Sequence, residues 1–276
     1  MTSFREFLYG IHNDLKRNRW INDKRNSDYY GLVMMFHNVS DDFNSGAKDC
    51  NCTISDFCRI IEQYQAKGFT FLPVDKALEI VNNKTKEKFV VVTFDDIPDN
   101  VYKNAYPVLR DLNIPFTIFI TAGFIGKEGF VTREQLYELN NDPLCTIGAH
   151  TMTHPMLRHV ENSKWEIEQC KKELELLTGK EISYFAYPYG RYSTVSSKVK
   201  REVIDAGYEC AFSSISAPLT EVSSEDLFFL PRIVASPGEI INFTKSWTFV
   251  NVLIRFFIRP LRNLCKQPIL TYCKKS

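Results

Sequence analysis

The chain has 276 residues, 44% hydrophobic and 24% charged, a composition that suits a globular protein with a sizeable core. Its formal net charge of +1 gives no reason to expect a nucleic acid or other polyanion as partner. No apolar run approaches the ~18 residues of a membrane span, and eight cysteines scattered without a repeating spacing read as free thiols in a reducing compartment.

Residues 1–30 form a polar, mixed appendage. Phe4, Phe7, Leu8, Ile11 and Leu15 fall at i, i+3, i+4 spacing, which predicts a short docking helix. No apolar signal-peptide core opens the chain, so the expected location is cytoplasmic. Leu32–Phe36 is the first core-type strand, and it ends in His37 followed by turn residues. Histidine at such a position is more often structural than catalytic, although a strand's C-terminal end favours a site. Cys50 and Cys52 make a lone C-x-C without a matching pair, which is a weak zinc signal. Thr53 reads as the N-cap of a helix presenting Phe57, Ile60, Ile61 and Tyr64 on one face and ending at Gly68. A strand over 69–72 and a helix over 74–81 follow.

Phe89-Val-Val-Val-Thr-Phe94 then reads as a strand buried on both faces, and it stops at Asp95-Asp96. Adjacent carboxylates repel unless a metal ion or an Arg holds them. A helix is expected over 100–112, a buried strand over 116–120, and a Thr132-x-x-Gln135 capping box opens the next helix. The strand 145–149 ends in His150-Thr-Met-Thr-His154. A helix over 163–177 is closed by Gly179. The strand 184–186 ends in Tyr187-Pro188-Tyr189-Gly190. A helix over 193–206, a strand over 208–212 and a last strand over 227–233 carrying Arg232 complete the series. Alternating strands and helices predict a parallel sheet with crossover helices, in one domain over 31–239. A single (β/α) barrel accounts for this best, with an open doubly wound sheet as the alternative. No Gly-x-Gly-x-x-Gly follows a strand, so dinucleotide binding has no support.

Three polar clusters therefore end three strands and share one rim in a barrel. Two imidazoles four residues apart, with a carboxylate, can hold one metal ion and leave positions open. A second carboxylate outside the ligand set then suits a general base for water held by that metal, as in amide hydrolysis.

Thr-Phe-Asp-Asp, His-Thr-x-x-His and Tyr-Pro-Tyr-Gly resemble the motifs of the polysaccharide deacetylases (the NodB-homology domain, carbohydrate esterase family 4) over about residues 30–236. The resemblance implies a distorted (β/α) barrel of seven or eight strands and a divalent metal, most commonly Zn²⁺. It implies removal of N-acetyl groups from an amino sugar of a glycan, lipid-linked sugar or precursor. By the same resemblance Asp95 is the catalytic base, and Asp96, His150 and His154 are the metal ligands. The Tyr189 amide helps hold the oxyanion, and Tyr187, Pro188 and Tyr189 line the substrate. Thr151 shapes the loop between the ligands. Three departures stand out. Ile97 occupies the place of a frequent Gly. Ala186 stands where many members have an Arg that pairs with the base, and Arg232 is the candidate replacement. No His follows His159, so His37 is the candidate general acid, as in circularly permuted relatives with the final motif on the first strand. His159 itself reads as a solvated loop residue. Hydrolysis of another acyl or C–N bond, and a non-catalytic carbohydrate-binding relative, remain as alternatives.

From Ile240 the chain turns basic and aromatic. Lys245, Arg255, Arg259 and Arg262 are interleaved with Trp247, Phe249, Phe256 and Phe257. Such a tail either packs on the barrel as a last helix or lies peripherally on an anionic membrane surface.

Overall fold

The computed structural model describes residues 31–42, 51–85, 87–219 and 227–235. The appendage at 1–30, Cys50 and the tail from Ile240 lie outside them. Among the described residues ten strands run in chain order: β1 (Gly31–Phe36), β2 (Asn38–Val39), β3 (Asn51–Cys52), β4 (Thr70–Phe71), β5 (Phe89–Asp96), β6 (Phe116–Ile120), β7 (Cys145–Ala149), β8 (Tyr184–Ala186), β9 (Cys210–Phe212) and β10 (Ile233–Val234). The main sheet has 8 strands in the order β10-β1-β5-β6-β7-β8-β9, with β4 added beside β5. Every pairing in it is parallel. Further links join β9 to the last segment: a parallel bridge between Phe212 and Leu230, and a bond from the Arg232 N–H to the Ile215 carbonyl. The result is the distorted (β/α) barrel that the alternation predicts.

The central strands are buried on both faces, and their side chains alternate between two cores, as the period of two requires. Val33, Phe89, Val91 and Phe119 join one cluster, with Ala186 and Phe212. Leu32, Met34, Phe36, Val90, Val92 and Phe94 join the other, under the helices. Asp95 shares the phase of Val91 and Thr93, which sends its carboxyl group inward.

The helices are α1 (Ile54–Ala66), α2 (Val74–Asn82), α3 (Tyr106–Asp111), α4 (Arg133–Asn141), α5 (Ser163–Thr178) and α6 (Ser197–Asp205). Thr53 caps α1 by accepting from the Asp56 N–H, and Phe57, Ile60, Ile61 and Tyr64 are its buried face. The Thr132–Gln135 capping box is formed in full. Gly179 ends α5 in the left-handed conformation, φ 66°.

The structure revises several boundaries. The helix expected over 100–112 is a π-helical turn, Val101–Ala105, running into α3. Pro107 has no N–H to give Lys103, so the regular ladder cannot run through this turn, and the Tyr106 N–H reaches back to Val101. The helix expected from 193 begins later, because the Ser196 side chain caps it by accepting from the Val199 N–H. The strand expected over 227–233 shrinks to Ile233–Val234, and turn residues precede it. Among the described residues, Cys52, Cys58, Cys145, Cys170 and Cys210 are free thiols, and no helix is long and apolar enough to cross a membrane.

Candidate active site

The site is built on the ends of β5, β7, β8 and β1. At β5, the chain leaves the sheet through two left-handed residues, Asp96 at φ 65° and Ile97 at φ 57°. The Ile97 N–H closes back on the Asp95 carbonyl at 2.8 Å. This reversal brings both carboxylates to one rim, within 4.0 Å of His150 Nε2, where a plain strand would point them to opposite faces. Asp95 is buried, while Asp96 is partly open. Ile97 is itself in the core, so its bulk is turned away from the opening.

Arg232 is fully buried and meets Asp95 in a two-pronged ion pair. Its two terminal nitrogens donate to the two carboxylate oxygens at 2.6 and 2.7 Å. Its Nε donates to the Ser213 carbonyl at 2.9 Å, and the guanidinium lies over the Phe119 ring. The Thr93 hydroxyl donates to the Met34 carbonyl at 2.7 Å and accepts from Arg232 at 3.3 Å. Burial by itself works to raise the Asp95 pKa. The Arg232 charge, His150 and the Arg232 hydrogen bonds outweigh it and hold the carboxyl well below the usual carboxylate range. Asp95 is therefore ionised, with both oxygens oriented.

At the end of β7 the ligand-type loop is held from several sides. The His150 ring pairs Nδ1 with the Ala186 carbonyl at 2.7 Å. That contact requires the proton on Nδ1 and leaves the Nε2 lone pair facing the opening. Burial, only partly opposed by Asp95, brings the His150 pKa down to about 4, so the ring is neutral. Thr151 and His154 take left-handed backbones, φ 70° and 61°. The Thr151 hydroxyl accepts from the His154 N–H at 3.0 Å, which is the loop-shaping part expected of it. The Asp96 Oδ1 then lies 3.7 Å from His150 Nε2 and 3.4 Å from His154 Nε2.

These three residues form the group of possible metal ligands found among the described residues, with ligand atoms within 4.8 Å of one another. The set passes the chemical test for a divalent cation. One carboxylate and two imidazoles converge, and at least one of those imidazoles is kept neutral and fixed in its tautomer by a backbone carbonyl. His150 Nε2 is also 4.0 Å from Asp95 Oδ2, so the carboxylate bound to Arg232 stands beside the ligand set, outside it.

The Tyr187–Gly190 turn after β8 supplies the remaining wall. Tyr187 and Pro188 are buried, and the Tyr187 hydroxyl donates to the Phe228 carbonyl at 3.0 Å. Their part is to hold the turn from beneath. Tyr189 is 47% exposed, with its ring centroid 5.0 Å from that of His154 and a left-handed φ of 61°. Gly190 follows at φ 51°, and a Cβ there would lie 2.4 Å from the Ser214 nitrogen. Only glycine lets this turn pack against the segment after β9.

His37, at the end of β1, is half-buried, and its Nδ1 has no hydrogen-bond partner. Burial is the largest influence on the ring and pushes its pKa below the ordinary imidazole value. Asp95 and Asp96 oppose the fall, and Arg232 and His154 add to it. The resting ring is neutral, whereas an acid needs the proton. Asn100 and Asn104 hold the chain just after it: Asn100 accepts from the Val39 N–H and donates to Asn38, and Asn104 donates to the Val39 carbonyl.

Thus Asp95, Asp96, His150, His154, Arg232, Tyr189 and His37 converge, whereas Tyr187 and Pro188 lie below the surface. Sequence reading missed Thr93, Thr121 and Glu166. Thr121 donates to the His150 carbonyl at 3.2 Å, and Glu166 holds the loop between the imidazoles. Thr93 lies within β5, Thr121 just after β6 and Glu166 within α5, and nothing local in the sequence marks these ordinary polar residues.

Residues 82–211 match the family model described as polysaccharide deacetylase. That span takes in Asp95, Asp96, both imidazoles and Tyr189, but neither His37 nor Arg232. A poly-β-1,6-N-acetyl-D-glucosamine N-deacetylase of Staphylococcus aureus (strain MRSA252) is 30% identical over 190 residues, covering 61% of this chain. The chain spans 63% of that relative's length. Among solved structures, BC0361, a polysaccharide deacetylase from Bacillus cereus, is similar with a TM-score of 0.68 and 25% identity. The match covers 79% of this chain and 68% of that one. IcaB from Ammonifex degensii shares the fold, with a TM-score of 0.68 and 22% identity over 78% of this chain and 96% of that one.

Proposed function

We propose that the chain acts as the polysaccharide deacetylases it resembles over residues 82–211, and that it hydrolyses the N-acetyl amide of an amino sugar in a glycan. The observation that carries this reading is the ionised, two-pronged Asp95–Arg232 pair set directly beside an Asp96–His150–His154 cup. A module that merely binds sugar has no use for a buried, oriented carboxylate next to metal ligands.

Asp96, His150 and His154 would hold a divalent cation, with Zn²⁺ the best match to two imidazoles and a carboxylate. When bound, the cation supplies Lewis acidity toward the amide carbonyl and toward water. Asp95 takes the proton of the attacking water at its carboxylate, as a general base. Arg232 keeps that carboxylate ionised and aimed, and no proton exchange with the guanidinium is needed. The Tyr189 backbone N–H donates to the oxygen that gains negative charge. The exposed Tyr189 ring offers an apolar face to a sugar ring. His37 is the group placed to hand a proton to the departing amine. Because burial favours the neutral ring at rest, His37 takes up within the cycle the proton that Asp95 removed from the water, and passes it to the amine, which leaves Asp95 ionised again.

The test is acetate release from oligomers of β-1,6-linked and β-1,4-linked N-acetylglucosamine and from UDP-N-acetylglucosamine, by wild type and by Asp95→Asn. Release by wild type, reduced about 10²-fold or more in the variant, supports the reading. Equal release by the two proteins contradicts it.

A further inference from the structure

Glu166 lies in the first turn of α5 and is 3% exposed. Its carboxylate is not one of the three converging ligand groups. One oxygen accepts from the backbone N–H groups of Met152 and Thr153, at 3.0 and 2.9 Å. The other accepts from the Thr153 hydroxyl at 2.7 Å. All three donors belong to the short loop between His150 and His154. On another side, the same loop is bonded to the segment after β6. The Ala122 N–H donates to the Thr151 carbonyl at 3.1 Å, and the Gly123 N–H to the Met152 carbonyl at 2.9 Å. A Cβ at Gly123 would lie 2.4 Å from that carbonyl oxygen, so the approach leaves no slack.

The loop needs such fixing. Thr151 and His154 both sit at positive φ, a conformation that non-glycine residues hold only where the surroundings over-determine it. Released from Glu166, the two amides and the hydroxyl would turn to water, and the backbone would relax toward unstrained angles. That relaxation would carry the His154 ring away from Asp96. A buried carboxylate spending both oxygens on the connector is therefore aimed at the spacing of the two imidazoles.

We propose that Glu166 is a positioning residue for the metal site, setting the separation of His150 and His154 through the loop that joins them. The proposal rests on the reading of Asp96, His150 and His154 as metal ligands. It predicts that loss of Glu166 weakens metal binding itself, apart from any loss of stability.

The experiment measures Zn²⁺ affinity of the full chain by competition with a chromophoric chelator, and the ligand-field absorption of the Co²⁺-loaded protein. Glu166→Ala is expected to bind Zn²⁺ about tenfold more weakly or worse, as for other partners that orient metal ligands, and to alter the Co²⁺ spectrum. Glu166→Gln keeps an oxygen for the two amides and can turn its nitrogen to the Thr153 hydroxyl, so it recovers most of the affinity. Ser163→Ala serves as control. It removes a buried bond from the same helix, Ser163 to Glu202 at 2.7 Å, and is expected to bind Zn²⁺ as wild type does.

Folded Glu166→Ala with wild-type affinity and spectrum overturns the proposal, as does equal weakening in Ser163→Ala. If Glu166→Ala does not fold, Thr153→Ala decides. It drops one of the three bonds at an exposed residue, and wild-type affinity there counts against the proposal. Failure of the underlying reading looks different, because wild type and Asp96→Ala would then bind Zn²⁺ equally poorly.

Discussion

Replacing Arg232 by Met tests the electrostatic logic of the site through stability alone. Arg232 and Asp95 are 0% and 2% exposed, so solvent screens neither. Breaking a buried pair by removing one partner costs about 3–5 kcal/mol, because the other charge stays buried. The Ser213 carbonyl also loses the donor it now has at 2.9 Å. For a domain of this size about 2–4 °C of melting temperature accompanies each kcal/mol, which predicts a fall of roughly 6–20 °C. The assay is thermal and urea unfolding in chelator, so that no bound metal offsets the loose charge. The pH dependence has a definite sign. In wild type the folded pKa of Asp95 is depressed, so its contribution is present above the unfolded value and is lost as pH falls through the acid range. In the variant the carboxyl is buried without its cation, its folded pKa rises above the unfolded value, and acidification restores stability. The gap between the two proteins therefore narrows from pH 8 to pH 5, and Asp95→Asn added to Arg232→Met recovers part of the loss. A deficit under about 1 kcal/mol, the worth of an exposed pair, or a gap that does not change with pH, would refute this reasoning.

Other consequences are more local. Gly190→Ala must strain a left-handed turn and push a methyl against the Ser214 nitrogen. A loss of about 1–3 kcal/mol is expected, with a larger drop in kcat than in substrate affinity, read from unfolding and steady-state assays. Tyr187→Phe removes one buried hydrogen bond to Phe228 and should cost about 1 kcal/mol with activity largely kept. Brief alkylation at pH 8 followed by peptide mapping should label Cys58 while Cys52 and Cys170 stay protected. Burial of those two thiols pushes their pKa up to about 12, and labelling of either in the native protein would contradict the packing. His37→Asn should lower kcat most for substrates whose departing amine is the stronger base, and an even loss across substrates would place His37 outside the proton transfer.

Much of this architecture is legible in residue order. The Val-rich run ending in Asp95-Asp96, the caps at Thr53 and Thr132 and the terminator Gly179 are local signals, and each acts where it stands. The cluster of Asp96, His150 and His154 follows from parallel strands that end on one rim. Arg232 comes from the family resemblance, which implies an Arg paired with the base where this chain has Ala186, and the structure sets Arg232 on Asp95. What sequence leaves hidden depends on contacts distant in the chain. Glu166 looks like one more acid on an amphipathic helix until the fold sets it beside the Thr151–Thr153 loop. Tyr187 looks like a sugar-facing aromatic, yet its hydroxyl is drawn down to Phe228. The π-helical turn before Tyr106 arises from Pro107 acting on a neighbouring turn.

The most direct test of the central claim is the acetate released from N-acetylglucosamine oligomers by purified protein, assayed with Zn²⁺ and after chelation, for wild type, Asp95→Asn and Asp96→Ala. The account predicts release by wild type that chelation abolishes and Zn²⁺ restores, with both variants reduced by about two orders of magnitude or more. Release that survives chelation and both substitutions would contradict it.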